Sequence, residues 1–492
     1  MVNQPRLEPN PGSRWMNRPV KILLGSLFAL AVAGGGGWFA WQRGAAERQW
    51  TRLRPPLPAP AGPTAPGLDD RLAGCAARLS HAPVDQAALA EFTLLCHANG
   101  LLPEATRGYE ALMALDPTRA RWPHALAAIL TGYGRMDEAR PLLEKAAALA
   151  PAETIVWLRL GEARLKSNQL AEAATAFQAA LQRQPAGIHA LFGLARCDLQ
   201  AGRLTAARSR LQEAVAADPD FPGAQSLLAT VFERLGNPAA AQAARLRVRG
   251  DGRYTEAPDP WAVDLLAYCH QPYTLLVAAS ALSSDGRHRE ALPLLERAIT
   301  LDPRDARLHR QLGNILARVG DVPAARPRLE QALALDPTNE KIRSDLIRVL
   351  NALKDPAAVD AVVRAGLVTN PRSPALRFEA GMGAARRGHG AEAAAFFQEA
   401  WDLAPDQAAA PCELAAIHFA SGRPDAGMAV LERVLATHPD EPAALTMLVR
   451  HGIEVRDPRT GDWLRRAQAT GKSLPVVAEL RQAYFARFGT MP

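Results

Sequence analysis

The sequence predicts an all-α protein made of stacked helical hairpins, preceded by one N-terminal transmembrane helix. Three observations lead to this prediction. Hydrophobic residues make up 48 % of the 492 residues and aromatic residues only 6 %, and the dominance of alanine and leucine favours closely packed helices. One uncharged stretch of twenty residues stands near the N-terminus. Beyond it, prolines recur at a fixed interval, and no alternating run of β-branched residues predicts a strand.

The uncharged stretch, Ile22–Trp41, is long enough to cross a bilayer, because twenty helical residues rise about 30 Å. Trp38 and Trp41 stand at one end, where interfacial aromatic residues are common. The alternative is a cleaved signal peptide with its cleavage site at Ala31-Val32-Ala33. Since the apolar run continues past that site, we expect an uncleaved transmembrane helix over residues 22–41.

Positive charge is concentrated around this predicted span. Eight cations and two anions lie in residues 1–54 and account for +6 of the net charge of +7. Because nucleic-acid binding needs clustered cations, which the nearly neutral remainder lacks, no nucleic-acid partner is predicted. We expect a short basic tail over residues 1–21 and a stiff Pro-rich linker over residues 42–68. A short tail ahead of a single span usually stays inside, so the bulk of this single-pass membrane protein is expected to be periplasmic or otherwise extracytoplasmic.

The prolines form two series with the same 34-residue period. Proline cannot continue a helix, so each one predicts a helix end. A glycine usually stands seventeen positions before the proline, a small residue twelve before it and a large apolar residue eight before it, which predicts a two-helix hairpin in each unit. The loop glycine is replaced by Asn168 and Lys354, and the small alanine by Val359 and Gly427, so those units are expected to be less regular. The prolines are Pro117, Pro151, Pro185 and Pro219 in the first series, and Pro303, Pro337, Pro371, Pro405 and Pro439 in the second.

One unit is especially regular, running from Trp157-Leu158-Arg159-Leu160-Gly161 through Ala173, Phe177 and Ala180 to Pro185. It fits the W-x-x-L-G, A, F, A, P pattern nearly position for position, and the chain therefore resembles the tetratricopeptide repeat family. The resemblance covers about residues 86–245 and 272–450, with nine units in register. It implies a right-handed α-solenoid (TPR superhelix) whose first helices line a concave groove used for peptides or partner helices.

The two series of repeats are out of phase. The interval from Pro219 to Pro303 is two full periods plus sixteen positions, and the sequence between the two series contains glycines and prolines typical of loops. We therefore expect a first array over residues 69–245, an irregular insert over 246–271 and a second array over 272–450. Residues 451–492 are expected to form C-terminal capping helices.

The resemblance selects the candidate binding residues, because in the family the first helix of each unit faces the groove. The candidates in the first array are partly apolar, and those in the second form a polar and cationic patch beside aromatic residues. Such a patch suits an acidic or C-terminal peptide bound through charge-assisted hydrogen bonds. The family's carboxylate clamp is incomplete, since Asp345 stands where asparagine is expected; a solvated face with no single ligand is the alternative. The candidates are Leu158, Phe192, Arg196, Arg307, Arg310, Asn314, Lys341, Arg348, Asn351 and Phe378.

The sequence predicts no catalytic residue, cofactor or metal site. It contains no P-loop, G-x-S-x-G, H-E-x-x-H or C-x-x-C motif. The adjacent pairs Cys96-His97 and Cys269-His270 point about 100° apart on a helix, so neither chelates a metal unaided. The five cysteines are expected to be small buried hydrophobes, with a Cys75–Cys96 disulfide as the less favoured alternative.

We therefore expect a non-catalytic protein–protein interaction scaffold, anchored in a bacterial envelope membrane, whose partners are other proteins or peptides. Residues 96–100 (CHANG) and 120–123 (ARWP) resemble opening repeats of bacterial envelope repeat proteins. One alternative is an assembly or maturation factor for an envelope complex, similar to cytochrome c biogenesis proteins. An accessory subunit of an enzyme is a third, less favoured hypothesis.

Overall fold

The structure, a computed structural model, describes residues 44–45, 47–59, 67–80, 84–248, 256–470 and 475–490. Over these residues it contains helices and no β-strand. The chain divides into two compact units, residues 1–271 and 272–492. The basic tail predicted over residues 1–21 and the span predicted over 22–41 lie outside the described residues. Within the described ranges, every helix is too short or too polar to cross a bilayer.

The first unit is a series of short helices of similar length. They are α1 (Leu68–Arg78), α2 (Gln86–Ala98), α3 (Leu102–Leu115), α4 (Arg121–Gly132), α5 (Met136–Leu149), α6 (Thr154–Lys166), α7 (Leu170–Arg183), α8 (Ile188–Gln200), α9 (Leu204–Ala217), α10 (Pro222–Arg234), α11 (Pro238–Leu246) and α12 (Pro260–Val263), followed by a 3-10 helix (Asp264–Tyr268). From α2 to α11 they pair as five hairpins, each with a first and a second helix.

The second unit continues the same architecture. Its helices are α13 (Pro272–Ser284), α14 (His288–Leu301), α15 (Ala306–Arg318), α16 (Val322–Leu335), α17 (Glu340–Ala352), α18 (Pro356–Thr369), α19 (Pro374–Arg386), α20 (Gly390–Leu403), α21 (Ala409–Ala420), α22 (Pro424–Thr437), α23 (Pro442–Val455), α24 (Thr460–Ala469) and α25 (Pro475–Phe488). The odd-numbered helices from α13 to α21 are the first helices of five hairpins.

The predicted helix ends and loop positions of the repeats are confirmed. In all nine units the second helix ends two residues before the proline of the series, as Leu115 does before Pro117. The loop between the two helices needs a left-handed residue: eight loop glycines have φ between 69° and 91°. Asn168 and Lys354 adopt the same conformation, with φ of 58° and 57°. The loop backbone of these two units is thus as regular as that of the others. The two non-glycine residues adopt a left-handed conformation that is strained for an L-residue.

The small and large positions of each hairpin form its core. The large apolar residue eight positions before the proline is at most 3 % exposed in all nine units. Phe177 shows how the sizes match, because a Cβ atom added to Gly161 or Gly193 would lie 2.7 or 2.5 Å from its ring carbon Cε1. One large side chain of a second helix therefore packs against glycines of two consecutive first helices, which fixes the spacing between hairpins.

Three predicted segments differ from the structure in detail. Within the linker predicted over 42–68, residues 47–53 are helical, and Trp50 is buried with its Nε1 donating to the Leu79 carbonyl at 2.9 Å. The predicted boundary at residue 450 falls inside α23, since no proline of the series marks that helix end. In the insert predicted over 246–271, residues 260–268 form α12 and the 3-10 helix.

Candidate peptide-binding faces

Asp345 lies at the centre of a polar network that joins two consecutive first helices of the second unit, α15 and α17. Arg310 Nε and Asn314 Nδ2 donate to Asp345 Oδ2 at 2.7 and 2.8 Å. Arg348 Nη2 donates to Asp345 Oδ1 at 3.0 Å and to Asn314 Oδ1 at 2.9 Å. Burial raises the pKa of the Asp345 carboxyl, but the three donors together hold it below its usual value. The Asp345 carboxylate therefore neutralises part of the positive charge of the predicted cationic patch.

Two cavities of about 440 Å³ each open beside this network. The polar cavity lies among α13, α15 and α17 and is lined by Ser280, Asn314 and Arg348 among others. The mixed cavity lies mainly among α17, α19 and α21 and is lined by Asn351, Phe378 and again Arg348. Arg348 thus stands between two cavities on one face, which is hereafter the second-unit face.

The structure brings together only part of the predicted set in this unit. Arg310, Asn314 and Arg348 share the network, and Asn351 and Phe378 line the mixed cavity. Arg307 is exposed and donates to the Asp305 carboxylate at 2.6–3.1 Å, and Lys341 is exposed near the start of α17. Neither lines the polar or the mixed cavity.

The three candidates in the first unit are not exposed groove residues. Leu158 and Phe192 are 8 % and 5 % exposed and belong to apolar clusters between neighbouring helices. Arg196 Nη1 donates to both carboxylate oxygens of Glu162, at 2.9 and 2.8 Å. Packing between successive hairpins therefore covers most of the surface of Leu158 and Phe192, the two apolar candidates of the first unit.

The sequence analysis missed a contact between the insert and the first helices of the first unit. His124 on α4 and Asp259 form a pair with Nε2 and Oδ2 2.6 Å apart, and their side chains are 3 % and 9 % exposed. Arg159 on α6 donates to Glu256 at 2.7 Å and to the carbonyl of Ala257 at 3.0 Å. One feature of the sequence pointed to this contact. His124 stands one repeat period before Leu158, at the same position of the repeat, and a polar side chain that is buried at such a position needs a hydrogen-bond partner.

Asn99, directly after α2, holds the C-terminal end of the same segment. Its Nδ2 donates to the Tyr268 carbonyl at 2.9 Å, and its Oδ1 accepts from the His270 backbone N–H at 2.6 Å. Gln271 Nε2 donates to the Asn99 carbonyl at 3.0 Å. Residues 256–271, hereafter the docked segment, therefore lie across first helices of three consecutive hairpins.

The cysteines and histidines form no reactive site within the described residues. All five cysteines are buried thiols outside any disulfide, so the alternative Cys75–Cys96 disulfide is absent. Burial raises the pKa of the Cys96 thiol to about 12, and it lowers the pKa of His97, whose Nδ1 lies 2.8 Å from the Tyr109 hydroxyl, to about 4. Among the residues that the structure describes, no three His, Cys, Asp or Glu side chains are placed to hold a metal ion.

Individual known proteins are similar to this chain only in part or at low sequence identity. Putative cellulose synthase operon protein C of Escherichia coli O157:H7 is 33 % identical over 109 residues, which are 22 % of this chain and 9 % of that protein. The chain thus spans less than a tenth of this curated relative. The solved structure of MamA (residue 41 to the end) from Desulfovibrio magneticus RS-1 is 21 % identical with a TM-score of 0.32, over 33 % of this chain and 93 % of that one. Yeast Tom70 is 12 % identical with a TM-score of 0.35, over 82 % of this chain and 96 % of that one.

Family models described as tetratricopeptide repeat match in both units. One model matches residues 130–179, 164–231, 199–247 and 384–450, and a second matches residues 276–354. Together the matched residues make up more than half of the chain. Through these segments the chain belongs to the tetratricopeptide repeat family.

Proposed function

We propose that this protein is a non-catalytic scaffold that binds partner proteins or peptides on the second-unit face. Tetratricopeptide repeat proteins generally act as protein-interaction scaffolds, which makes proteins the expected class of partner. The observation that carries the proposal is the pair of cavities that meet at Arg348. In the first unit the docked segment covers the corresponding first helices, so the second unit offers the more open surface.

Arg348 gives the site a preference for carboxylates. Its side chain is 57 % exposed, and among the described residues only its Nη2 is hydrogen-bonded. The Nε and Nη1 groups remain available to donate charge-assisted hydrogen bonds to a carboxylate. Arg310 and Arg318 also line the polar cavity, so this end of the face stays cationic despite Asp345.

The mixed cavity supplies an apolar contact next to this cation. Ile347, Pro374 and Phe378 line it, together with small alanine side chains of α20 and α21. Glu379 stands at the same wall, and burial raises the pKa of its carboxyl. The face therefore suits a peptide that places a carboxylate at Arg348 and an apolar side chain in the mixed cavity beside it, a pattern of one polar and one buried anchor.

We further propose that residues 22–41 anchor the scaffold in a membrane and that the repeats lie on the extracytoplasmic side. The uncharged twenty-residue run supports the anchor, and the shortness of the tail before it supports the orientation. Four cations precede the run and four follow it, so the distribution of charge does not set the orientation. Deleting residues 1–41 is expected to move the protein from the membrane fraction to the soluble fraction. A reporter that is active only in the cytoplasm, fused after Pro492, is expected to stay inactive; an active fusion would overturn the orientation.

The binding face is tested by site-specific photo-crosslinking in the full-length protein. A photoreactive amino acid at Asn351 is expected to capture partners, because this exposed residue lines the mixed cavity. The matched control places it at Arg328, which is exposed on α16, a second helix. Adding Arg348→Ala should abolish capture at position 351 without changing the circular dichroism spectrum. Equal capture at both positions, or capture that survives Arg348→Ala, would show that this face is not the binding site.

A further inference from the structure

The first unit already holds a peptide-like segment on its first helices. The docked segment contains only the four-residue α12 and a 3-10 helix, and it contacts Asn99 at the end of α2, His124 on α4 and Arg159 on α6 through both its side chains and its backbone. A helix this short has no stability of its own in water, so its conformation depends on the surface beneath it. This is the arrangement of a peptide ligand in a repeat-protein groove, with the difference that the ligand is part of the same chain.

Asp259 is the central contact of this arrangement. Its Oδ2 is 2.6 Å from His124 Nε2, in a pair that is almost entirely buried. Its Oδ1 accepts from the backbone N–H groups of Trp261 and Ala262, at 3.0 and 3.3 Å, and so caps the N-terminus of α12. One carboxylate therefore fixes both the position of the segment and its local fold, and removal of either partner of a buried pair is strongly destabilising.

Two contacts beside Asp259 define the rest of the recognised sequence. The Trp261 ring meets the His124 ring edge-to-face, with centroids 4.9 Å apart. Arg159 donates to the Glu256 carboxylate and to the carbonyl of Ala257. The surface thus recognises an acidic residue, then an aspartate followed by proline and an aromatic ring.

The segment does not fill the surface completely. A cavity of about 180 Å³ remains between it and the first helices, lined by Thr131, Glu162 and Lys166 among others. The Glu256 side chain is 64 % exposed, so its ion pair with Arg159 contributes little, in the range of exposed pairs. The N-terminal part of the docked segment is therefore held mainly by Asp259, Trp261 and the buried Ala257, and a ligand that supplies the same groups can replace it.

We propose that the first helices of the first unit form a second peptide-binding site, for acidic segments of the type Glu-x-x-Asp-Pro-aromatic, and that residues 256–264 are its resident ligand in cis. A partner protein carrying such a segment binds by displacing them. The apparent affinity of the partner is its intrinsic affinity multiplied by the fraction of molecules in which the resident segment is not docked. This site is separate from the second-unit face and takes a different sequence.

The test uses the full chain and a fluorescent peptide with the sequence of residues 256–264, EAPDPWAVD. Asp259→Ala/Trp261→Ala weakens the resident segment and is expected to bind the peptide at least about tenfold more tightly than the wild type, measured by fluorescence anisotropy. Adding His124→Ala to this variant removes the binding again. A control peptide with alanine in place of its aspartate at the fourth position and its tryptophan is expected not to bind. Equal affinity of wild type and variant for EAPDPWAVD would overturn the proposal, as would binding of the control peptide.

A second measurement keeps the proposal testable if the double variant fails to fold. Hydrogen exchange of the amides of residues 261–264 is followed in the wild type, with and without a large excess of EAPDPWAVD. Displacement of the resident segment by the peptide predicts faster exchange at these amides while α4 and α6 stay protected. Unchanged exchange at saturating peptide would show that the segment is a fixed part of the fold.

Discussion

Replacing Lys354 with glycine is expected to stabilise the second unit, although it removes a whole side chain. Lys354 is exposed and occupies the loop position of its hairpin with φ of 57°, where most other units have glycine. A left-handed conformation costs an L-residue about 1–2 kcal/mol because Cβ crowds the following carbonyl oxygen. Glycine avoids this strain but loses about 0.4–1 kcal/mol through the greater freedom of the unfolded chain. The difference leaves a net stabilisation of about 0.5–1 kcal/mol.

The assay should report on the hairpin itself, because long repeat arrays need not unfold in one step. Native-state hydrogen exchange at the amides of α17 and α18 is expected to slow by about two- to fivefold in Lys354→Gly, the ratio that about 0.5–1 kcal/mol gives at 25 °C. The matched control is Gly320→Ala, at the same loop position of the preceding unit, with φ of 91° and no atom within 4 Å of an added Cβ. It should accelerate exchange in α15 and α16 by a similar factor. Exchange in Lys354→Gly that is unchanged or faster would refute the strain argument.

Three further substitutions test the packing between hairpins, the contact of the helical residues 47–53 with Leu79, and the polar network around Asp345. Gly161→Ala puts a Cβ 2.7 Å from a ring carbon of Phe177 and is expected to lower the free energy of unfolding of the first unit by about 1–3 kcal/mol, measured by chemical denaturation. Phe177→Leu should partly restore it. An unchanged free energy of unfolding would mean that neighbouring hairpins can move apart at little cost. Trp50→Phe leaves the buried Leu79 carbonyl without its donor, so limited proteolysis near residues 47–59 should quicken, unlike in the control Trp38→Phe. Asp345 has a pKa held below its usual value, so its contribution is complete above pH 3.8 and is lost as the pH falls through the lower folded pKa. Wild type should therefore lose more stability on acidification below about pH 4 than Asp345→Asn, and parallel loss in the two proteins would exclude this role.

For the candidate site of the second unit, the sequence indicated which helices carry the polar residues, but only part of the hydrogen-bond network among them. The repeat register placed Arg310, Asn314 and Arg348 on first helices of consecutive units, and the structure joins them. Asp345 was visible only as a departure from a clamp, and its role as the acceptor for all three donors depends on the distance between α15 and α17. Leu158, taken as a groove residue by the same register, is 8 % exposed because packing between successive hairpins covers it.

The sequence by itself determined the features that repeat at a fixed interval. The helix ends before the prolines, the left-handed loop positions and the alternation of small and large core residues each depend on contacts within one hairpin or with its neighbour. Such contacts span few residues and recur in nine units, so the pattern shows them. Even Asn168 and Lys354 obey the repeat, because the backbone geometry of the hairpin overrides the preference of the residue.

Only the tertiary structure decided which parts of the chain cover these repeats. His124 and Asp259 are 135 residues apart, and Asn99 and His270 are 171 apart, and each pair occurs once. Contacts at that separation leave no period in the sequence, and their energy comes from burial and hydrogen bonds that exist only when both ends are in place. The repeat pattern therefore predicted a groove along the first helices of each array, whereas the folded chain covers first helices of the first unit with its own residues and leaves two cavities on the second-unit face.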